Sequence, residues 1–211
     1  MGSRQTRRLI RAMETGEPCV AHTRYSLRPY AKLAGGAALA EHFGYEYADT
    51  WSGGQDGTYV QLVPDPTPQA RLKAQATRSR YPDASSGGPI PAVDRAAVEL
   101  LKIRMKFDLS RPDRVAATKS VAIGGGLAWA IGSAISALAG NSGAALALAA
   151  LALLFPLMYG VSRHWTPRLN AQYARQLTAA GYLQVTDTQG RLRYMPGGRL
   201  PGHGNPYAPM S

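Results

Sequence analysis

One cysteine, Cys19, stands alone in 211 residues, so no intramolecular disulfide can form and nothing points to an oxidising compartment. Histidine is nearly as scarce, and His22, His42, His164 and His203 are scattered along the chain. Cys19 and His22 share a C-x-x-H spacing, but a closed zinc site needs four ligands, and no second cysteine or paired histidine supplies the rest. A buried thiol beside an ordinary histidine is the expected arrangement. The sequence contains no Walker A loop, dinucleotide fingerprint, nucleophile elbow or paired zinc-binding histidine motif. Gly124-Gly125-Gly126 lacks the Lys and Ser/Thr that a phosphate loop requires. No catalytic residue, cofactor or metal is expected, and the chain reads as non-enzymatic. With no apolar run before residue 120, a cleaved signal peptide is not expected either.

Charge is the next absence. From Ser120 to Ser162, forty-three consecutive residues carry no charged side chain, with Lys119 before them and Arg163 after. Crossing a hydrocarbon core of about 30 Å takes roughly 20 apolar residues at about 1.5 Å each. Residues 121–140 and 144–161 approach that length, separated by Asn141-Ser142-Gly143. Gly140 suits a left-handed helix end and Ser142 suits the cap of the next helix. The expectation is a two-helix transmembrane hairpin. A buried helical hairpin of a soluble domain is the alternative, because both segments are rich in Ala and Gly rather than Leu. A surface helix of this length would nevertheless need a polar face, and neither segment has one. The spans hold no ionisable residue, which argues against an ion-coupled transporter.

Within the first span, Gly124, Ala128, Gly132, Ser136 and Gly140 recur every four residues and form a face of small side chains. In lipid, helices associate through close backbone approach, so this is read as the packing face, toward the second span or toward another copy. Pro156 removes a backbone donor from the second span and frees the carbonyl of Ala152, which predicts a kink. The flanks are basic: Arg104, Lys106, Arg111, Arg114 and Lys119 before the hairpin, Arg163 and Arg168 after it. These are read as a membrane-surface flank. By the positive-inside rule both termini lie in the cytoplasm and Asn141 outside, in a bacterial inner membrane.

The formal net charge is +11, with 18 basic and 12 acidic residues before the hairpin and 6 and 1 after it. Both flanking parts are basic, which favours an anionic inner leaflet at about 1 kcal/mol per basic residue near the surface. Nucleic acid is the competing partner on charge alone.

The remaining chain reads as α+β, with small cytoplasmic helix-plus-β-hairpin modules on both sides of the hairpin in sequence. An N-terminal module over 1–81 starts with a helix over 3–14 that carries Arg4, Arg7, Arg8 and Arg11 around Leu9, Ile10 and Met13. A short strand follows near Cys19, then a helix over 29–43 ending at Gly44, and a hairpin over Tyr45–Trp51 and Thr58–Val63 closed by Pro64. Thr67 caps a further helix with Pro68 in its first turn. Residues 82–91 are a linker by composition. Residues 92–119 form amphipathic juxtamembrane helices, with Val93, Ala97, Leu100, Ile103 and Phe107 on the apolar side. After the membrane segment, 163–196 holds a helix over Ala171–Ala180 and a hairpin over 182–196. Residues 197–211 are Gly- and Pro-rich and expected to be disordered.

Gly44-Tyr45 through Pro64 and Gly181-Tyr182 through Pro196 suggest an internal repeat. Helix plus basic hairpin also resembles the helix-and-wing end of winged-helix DNA-binding domains. That resemblance implies a polar recognition helix, and Ala31–Phe43 is mostly small and apolar. The reading that follows is an anchor, adaptor or accessory subunit for a protein partner. The alternatives are a homo-oligomeric pore or membrane-perturbing effector and a membrane-tethered nucleic-acid-binding protein.

Overall fold

The computed structural model describes residues 3–24 and 28–202. Among them are six α-helices and five strands, a mixed α+β architecture. The chain divides into two compact units: Met1–Leu109 with Tyr173–Ser211, and Ser110–Gln172.

In the first unit, α1 (Ser3–Met13) leads into β1 (Cys19–Thr23), α2 (Pro29–His42), β2 (Tyr45–Ser52) and β3 (Thr58–Pro64). The expected short strand joins the expected hairpin in one antiparallel sheet of order β1-β3-β2. β1 alternates strictly between buried and exposed positions, so one side meets the helices and the other faces out. On the outward side His22, Tyr59 and Trp51 stack across the three strands at 5.6 and 5.5 Å. On the inward side Ala21, Tyr47, Val60 and Leu62 meet Leu9, Ile10 and Met13 of α1 and Leu33–Ala40 of α2 in one core. Each large apolar side chain buried here stabilises the fold by about 1.5–3 kcal/mol. The small residues of α2 let it sit in the middle of this core: Leu33, Ala34, Gly36 and Ala37 to Ala40 are all buried. That helix therefore presents little polar surface to any base edge.

Gly44 ends α2 in the left-handed region (φ 81°), and α3 (Pro68–Arg80) lies against it. A Cβ there would come within 3.0 Å of Ala74 Cβ and 3.3 Å of the Ala70 carbonyl. Thr67 caps α3 as expected, its Oγ1 accepting from the Ala70 N–H at 3.3 Å. Residues 82–91 stay with the same unit, 82–87 as turns, and Ala84 is buried in its core.

α4 (Arg95–Leu109) packs on α2 and β2, and the expected apolar side is only part of its contact: Phe107 is buried and Val93 and Ile103 pack against the cores. Leu101, Arg104, Met105, Phe107 and Asp108 are the buried residues, and Leu100 is only half-buried. The apolar period misplaces the stripe because two of its buried positions are charged. The second hairpin, β4 (Tyr182–Thr186) with β5 (Leu192–Pro196), is a separate two-stranded sheet.

The second unit contains α5 (Pro112–Leu138) and most of α6 (Ser142–Ala179). α6 is a single helix of 38 residues through Pro156 and Pro167. The span and the helix expected separately over Ala171–Ala180 are thus continuous.

Candidate functional site

The turn between α5 and α6 is built by backbone chemistry. Gly140 adopts φ 77°, its N–H donates to the Ala137 carbonyl at 3.0 Å, and the Asn141 N–H donates to Ser136 at 2.9 Å. This satisfies carbonyls that the end of α5 leaves open. Asn141 is the cap of α6, accepting from the Ala144 N–H at 3.1 Å. Ser142, expected in that role, is the first helical residue.

The faces that meet follow a three-and-four spacing. On α6, Ala144, Ala145, Leu148, Ala149, Ala152, Phe155 and Tyr159 are half-buried. From Ala122 onward, the half-buried positions of α5 are Ala122, Gly125, Gly126, Gly132, Ser133 and Ser136. A Cβ at Gly125 would lie 2.8 Å from the Phe155 ring. One at Gly126 would lie 3.3 Å from the Ala152 carbonyl and 3.7 Å from Pro156 Cδ. The carbonyl that Pro156 deprives of its donor thus faces bare α5 backbone, where only a glycine lets the helices close. Ser133 Oγ donates to the Ala145 carbonyl at 2.7 Å and ties the two helices together. At the other end of the unit, Asn170 Nδ2 donates to Ser110 Oγ at 3.0 Å.

The expected small-residue face is only partly this one. Gly132, 3.6 Å from Leu148 by the same measure, and Ser136 belong to it, whereas Gly124, Ala128 and Gly140 are exposed. Nothing lies within 4 Å of a Cβ built at Gly124 or Gly140. Two helices in contact at about 20° follow a heptad seam, and a strict four-residue step drifts off it.

Between Ala122 and Val161 the large apolar side chains that do not meet the other helix are uncovered. Ile123, Leu127, Ile131, Ile135 and Leu138 of α5, with Leu146, Leu153, Leu157 and Met158 of α6, are more than half exposed, Leu138 reaching 89%. α6 contains one window long and apolar enough to cross a membrane, with mean hydropathy 2.2 and 6% of it buried. α5 contributes a shorter apolar stretch, Ala122–Leu138. One long apolar helix is weak support for membrane association by itself. Uncovered apolar surface on this scale marks a membrane or protein contact.

The expected basic flank divides. Lys119, Arg163 and Arg168 are exposed, and Arg114 and Lys106 are half-buried, with Lys106 Nζ 5.7 Å from the Tyr173 ring. Arg111 is buried, and so is Arg104, at 4% exposure. Neither can lie on a lipid surface. In the first unit, Arg104 stacks over the Tyr47 ring at 4.6 Å and donates to the Tyr47 carbonyl at 3.4 Å and to Met195 Sδ.

Arg104 belongs to a sealed polar cluster that sequence reasoning did not find. Tyr47 Oη donates to Asp108 Oδ2 at 2.6 Å, and Arg193 Nη2 donates to the same oxygen at 3.3 Å and to the Ala48 carbonyl. Asp49 lies 3.6 Å from Arg193 and 3.4 Å from Arg191, which also holds Asp187 at 2.7 Å. Burial first, and the Asp108 carboxylate second, push the Tyr47 phenol well above its ordinary range. Burial lowers Arg104. Burial would lower Arg193 too, but Asp108, Tyr47 and Asp49 overcome it and raise that guanidinium. The cluster joins β2, α4 and β5 across as many as 145 residues of sequence, and its centre, Tyr47, Arg104, Asp108 and Arg193, is too deeply buried to receive a substrate. Its chemistry is structural.

Cys19 and His22 sit on opposite faces of β1, the thiol inward and the imidazole outward, so they cannot share a metal. Burial pushes the Cys19 thiol up to about 11. No group of three or more His, Cys, Asp or Glu side chains suited to a metal occurs among the described residues. The expected disorder over 197–211 does not extend to its start. Arg199 reaches both oxygens of Glu46 at 3.0 and 2.9 Å and Asp65 at 3.0 Å, and the Gly202 N–H donates to Glu46. Residues 203–211 lie outside the described residues. No protein-family model, curated protein or solved structure matches the chain.

Proposed function

We propose that the chain is a two-span protein of a bacterial inner membrane, in which α5 and α6 anchor an α+β head that holds a partner protein. The observation that carries this reading is the apolar hairpin closed at its base. Ser110 and Asn170 meet at 3.0 Å, so the chain enters and leaves the second unit at one place. The segments before and after it build a single compact unit, and so must occupy one compartment. If α6 crosses the bilayer, α5 has to cross back. Its stretch of 17 residues spans about 25 Å, slightly under the average core, a mismatch that local thinning absorbs at a fraction of a kcal/mol per Å. Exposed Lys119, Arg163 and Arg168 near the hairpin base support a cytoplasmic side for that end and for the segments that continue from it, by the positive-inside rule. The head itself supports an adaptor: its ionisable cluster is closed to substrate.

Because Cys19 is buried with a raised thiol, it is a silent background for labelling. Asn141→Cys should react with a membrane-impermeant maleimide in intact cells. Ser86→Cys and Gln176→Cys should react only after permeabilisation. Release of the protein by alkaline washing, or Ser86 and Gln176 labelling from opposite sides, would end the reading. A second reading, self-association into a pore-forming or membrane-perturbing oligomer, is favoured by one observation. Gly124, Ala128 and Gly140 are left open on the outer side of α5, as a helix–helix contact between copies requires.

A further inference from the structure

The first unit carries an open groove of about 530 Å³ between α3 and the end of the β2–β3 hairpin. Its lining is largely apolar, with Phe43, Tyr45, Val63, Pro18 and Pro64 among the walls. That volume lies within the range of about 300–1,000 Å³ common to ligand sites. Two guanidinium groups, of Arg71 and Arg78, border it from α3. Arg78 makes one long hydrogen bond, 3.4 Å to the Phe43 carbonyl, and no carboxylate pairs with either arginine among the described residues. The one acid in the lining, Asp65, is already engaged: it takes Arg199 at 3.0 Å and the Thr67 N–H at 2.9 Å. The groove is therefore apolar along its floor and uncompensated positive at two points.

The spacing of those points selects an occupant. Residues seven apart on an α-helix share a face and are separated by about 10.5 Å along the axis. A polyproline II chain rises about 3.1 Å per residue with three residues per turn, so side chains three apart also share a face, at about 9.3 Å. Such chains dock in aromatic-lined grooves without needing backbone partners. Pro18, Pro64 and Pro66 offer no backbone N–H at this wall, which disfavours added-strand pairing and leaves side-chain contact.

We propose that this groove receives an extended, proline-rich segment of the partner protein, with acidic side chains three positions apart that pair with Arg71 and Arg78. This rests on the adaptor reading and supplies the partner's chemistry. The probe is a fluorescein-labelled proline-rich peptide carrying Asp and Glu three positions apart, titrated against the full chain in detergent micelles and followed by anisotropy. Its control is the same peptide with Asn and Gln. Saturable binding of the acidic peptide is expected. Arg71→Gln and Arg78→Gln should each weaken it about tenfold, the share of one charge-assisted hydrogen bond, and Arg80→Gln should leave it unchanged. Equal binding of both peptides, or no loss in either variant, would overturn the proposal. So would binding that appears only after residues 203–211 are removed, since the groove would then belong to the chain's own tail, which continues from Gly202 in the lining. The titration does not depend on bilayer insertion. Its failure leaves the labelling result standing, and failed labelling with peptide binding retained would remove only the anchor.

Discussion

Asp108 sits at 1% exposure with two donors on one carboxylate oxygen, and its removal should release the second hairpin from the head. Asp108→Ala leaves the Tyr47 hydroxyl without its acceptor and takes one of two carboxylates from Arg193, which keeps Asp49 at 3.6 Å. Breaking a buried charged pair costs about 3–5 kcal/mol, and the surviving Asp49 contact puts the expected loss near the lower end, about 3 kcal/mol. Asp108→Asn still accepts from Tyr47 and loses only the charge, so about 2 kcal/mol is expected. For a unit of this size each kcal/mol moves the melting temperature by about 2–4 °C, so Asp108→Ala should melt roughly 6–12 °C lower. The triple variant Tyr47→Phe, Asp108→Leu, Arg193→Met removes donors and acceptor together, and should recover most of that loss. Thermal unfolding in detergent, followed by near-UV circular dichroism, measures all three, and amide exchange over Tyr182–Pro196 localises the effect. A change under about 1 °C in Asp108→Ala, or a triple variant no more stable than the single one, would refute the account of this cluster as the hairpin's attachment.

Three other outcomes are expected. Gly125→Leu collides with Phe155 and should loosen the α5–α6 contact, lowering disulfide cross-linking between cysteines placed on the two helices; Gly124→Leu, in open space, should leave cross-linking within the chain unchanged. Cys19 should react with a small maleimide at neutral pH only as fast as the head unfolds, because burial raises the thiol to about 11 and leaves little thiolate; rapid labelling of the folded protein would contradict its placement in β1. Glu41, raised by burial first and only partly offset by Lys73, contributes stability when protonated below its unfolded pKa and loses it as pH rises through the folded one. Glu41→Gln should therefore raise the melting temperature at pH 7 and make no difference near pH 3, which paired melts would show.

Local features of the sequence were legible because short-range physics sets them. Gly44 after an apolar helix, the Gly53–Gly57 turn between β-forming runs, and Thr67-Pro68 at the head of α3 each act within a few residues, and each is found in place. The third strand was not legible as part of the sheet, since Cys19–Thr23 pairs with residues some forty positions later. Arg104 was misread for a similar reason. On its own helix it continues a basic row beside Lys102 and Lys106, and only Tyr47 and Met195, 57 and 91 residues away, explain its burial. The hairpin's packing face was half legible: small residues marked the right helix, but the four-residue step chose the wrong side of it for Gly124 and Gly140.

The contact between Ser110 and Asn170 also bears on the order of events during synthesis. Asp108 waits for Arg193, and Arg104 for Met195, so the N-terminal part of the head is complete in sequence long before its buried charges find their partners. Closing a loop of 85 residues directly is entropically costly. Once the helical hairpin has formed and brought its ends together, the ribosome needs to deliver only the last strand across a much shorter gap, a saving of about 1 kcal/mol in closure entropy. A nascent chain cut short before β5 would keep Arg104 and Asp108 half-satisfied, and such a head would open readily to a protease. Folding of the head would then report that the hairpin ahead of it had been made correctly.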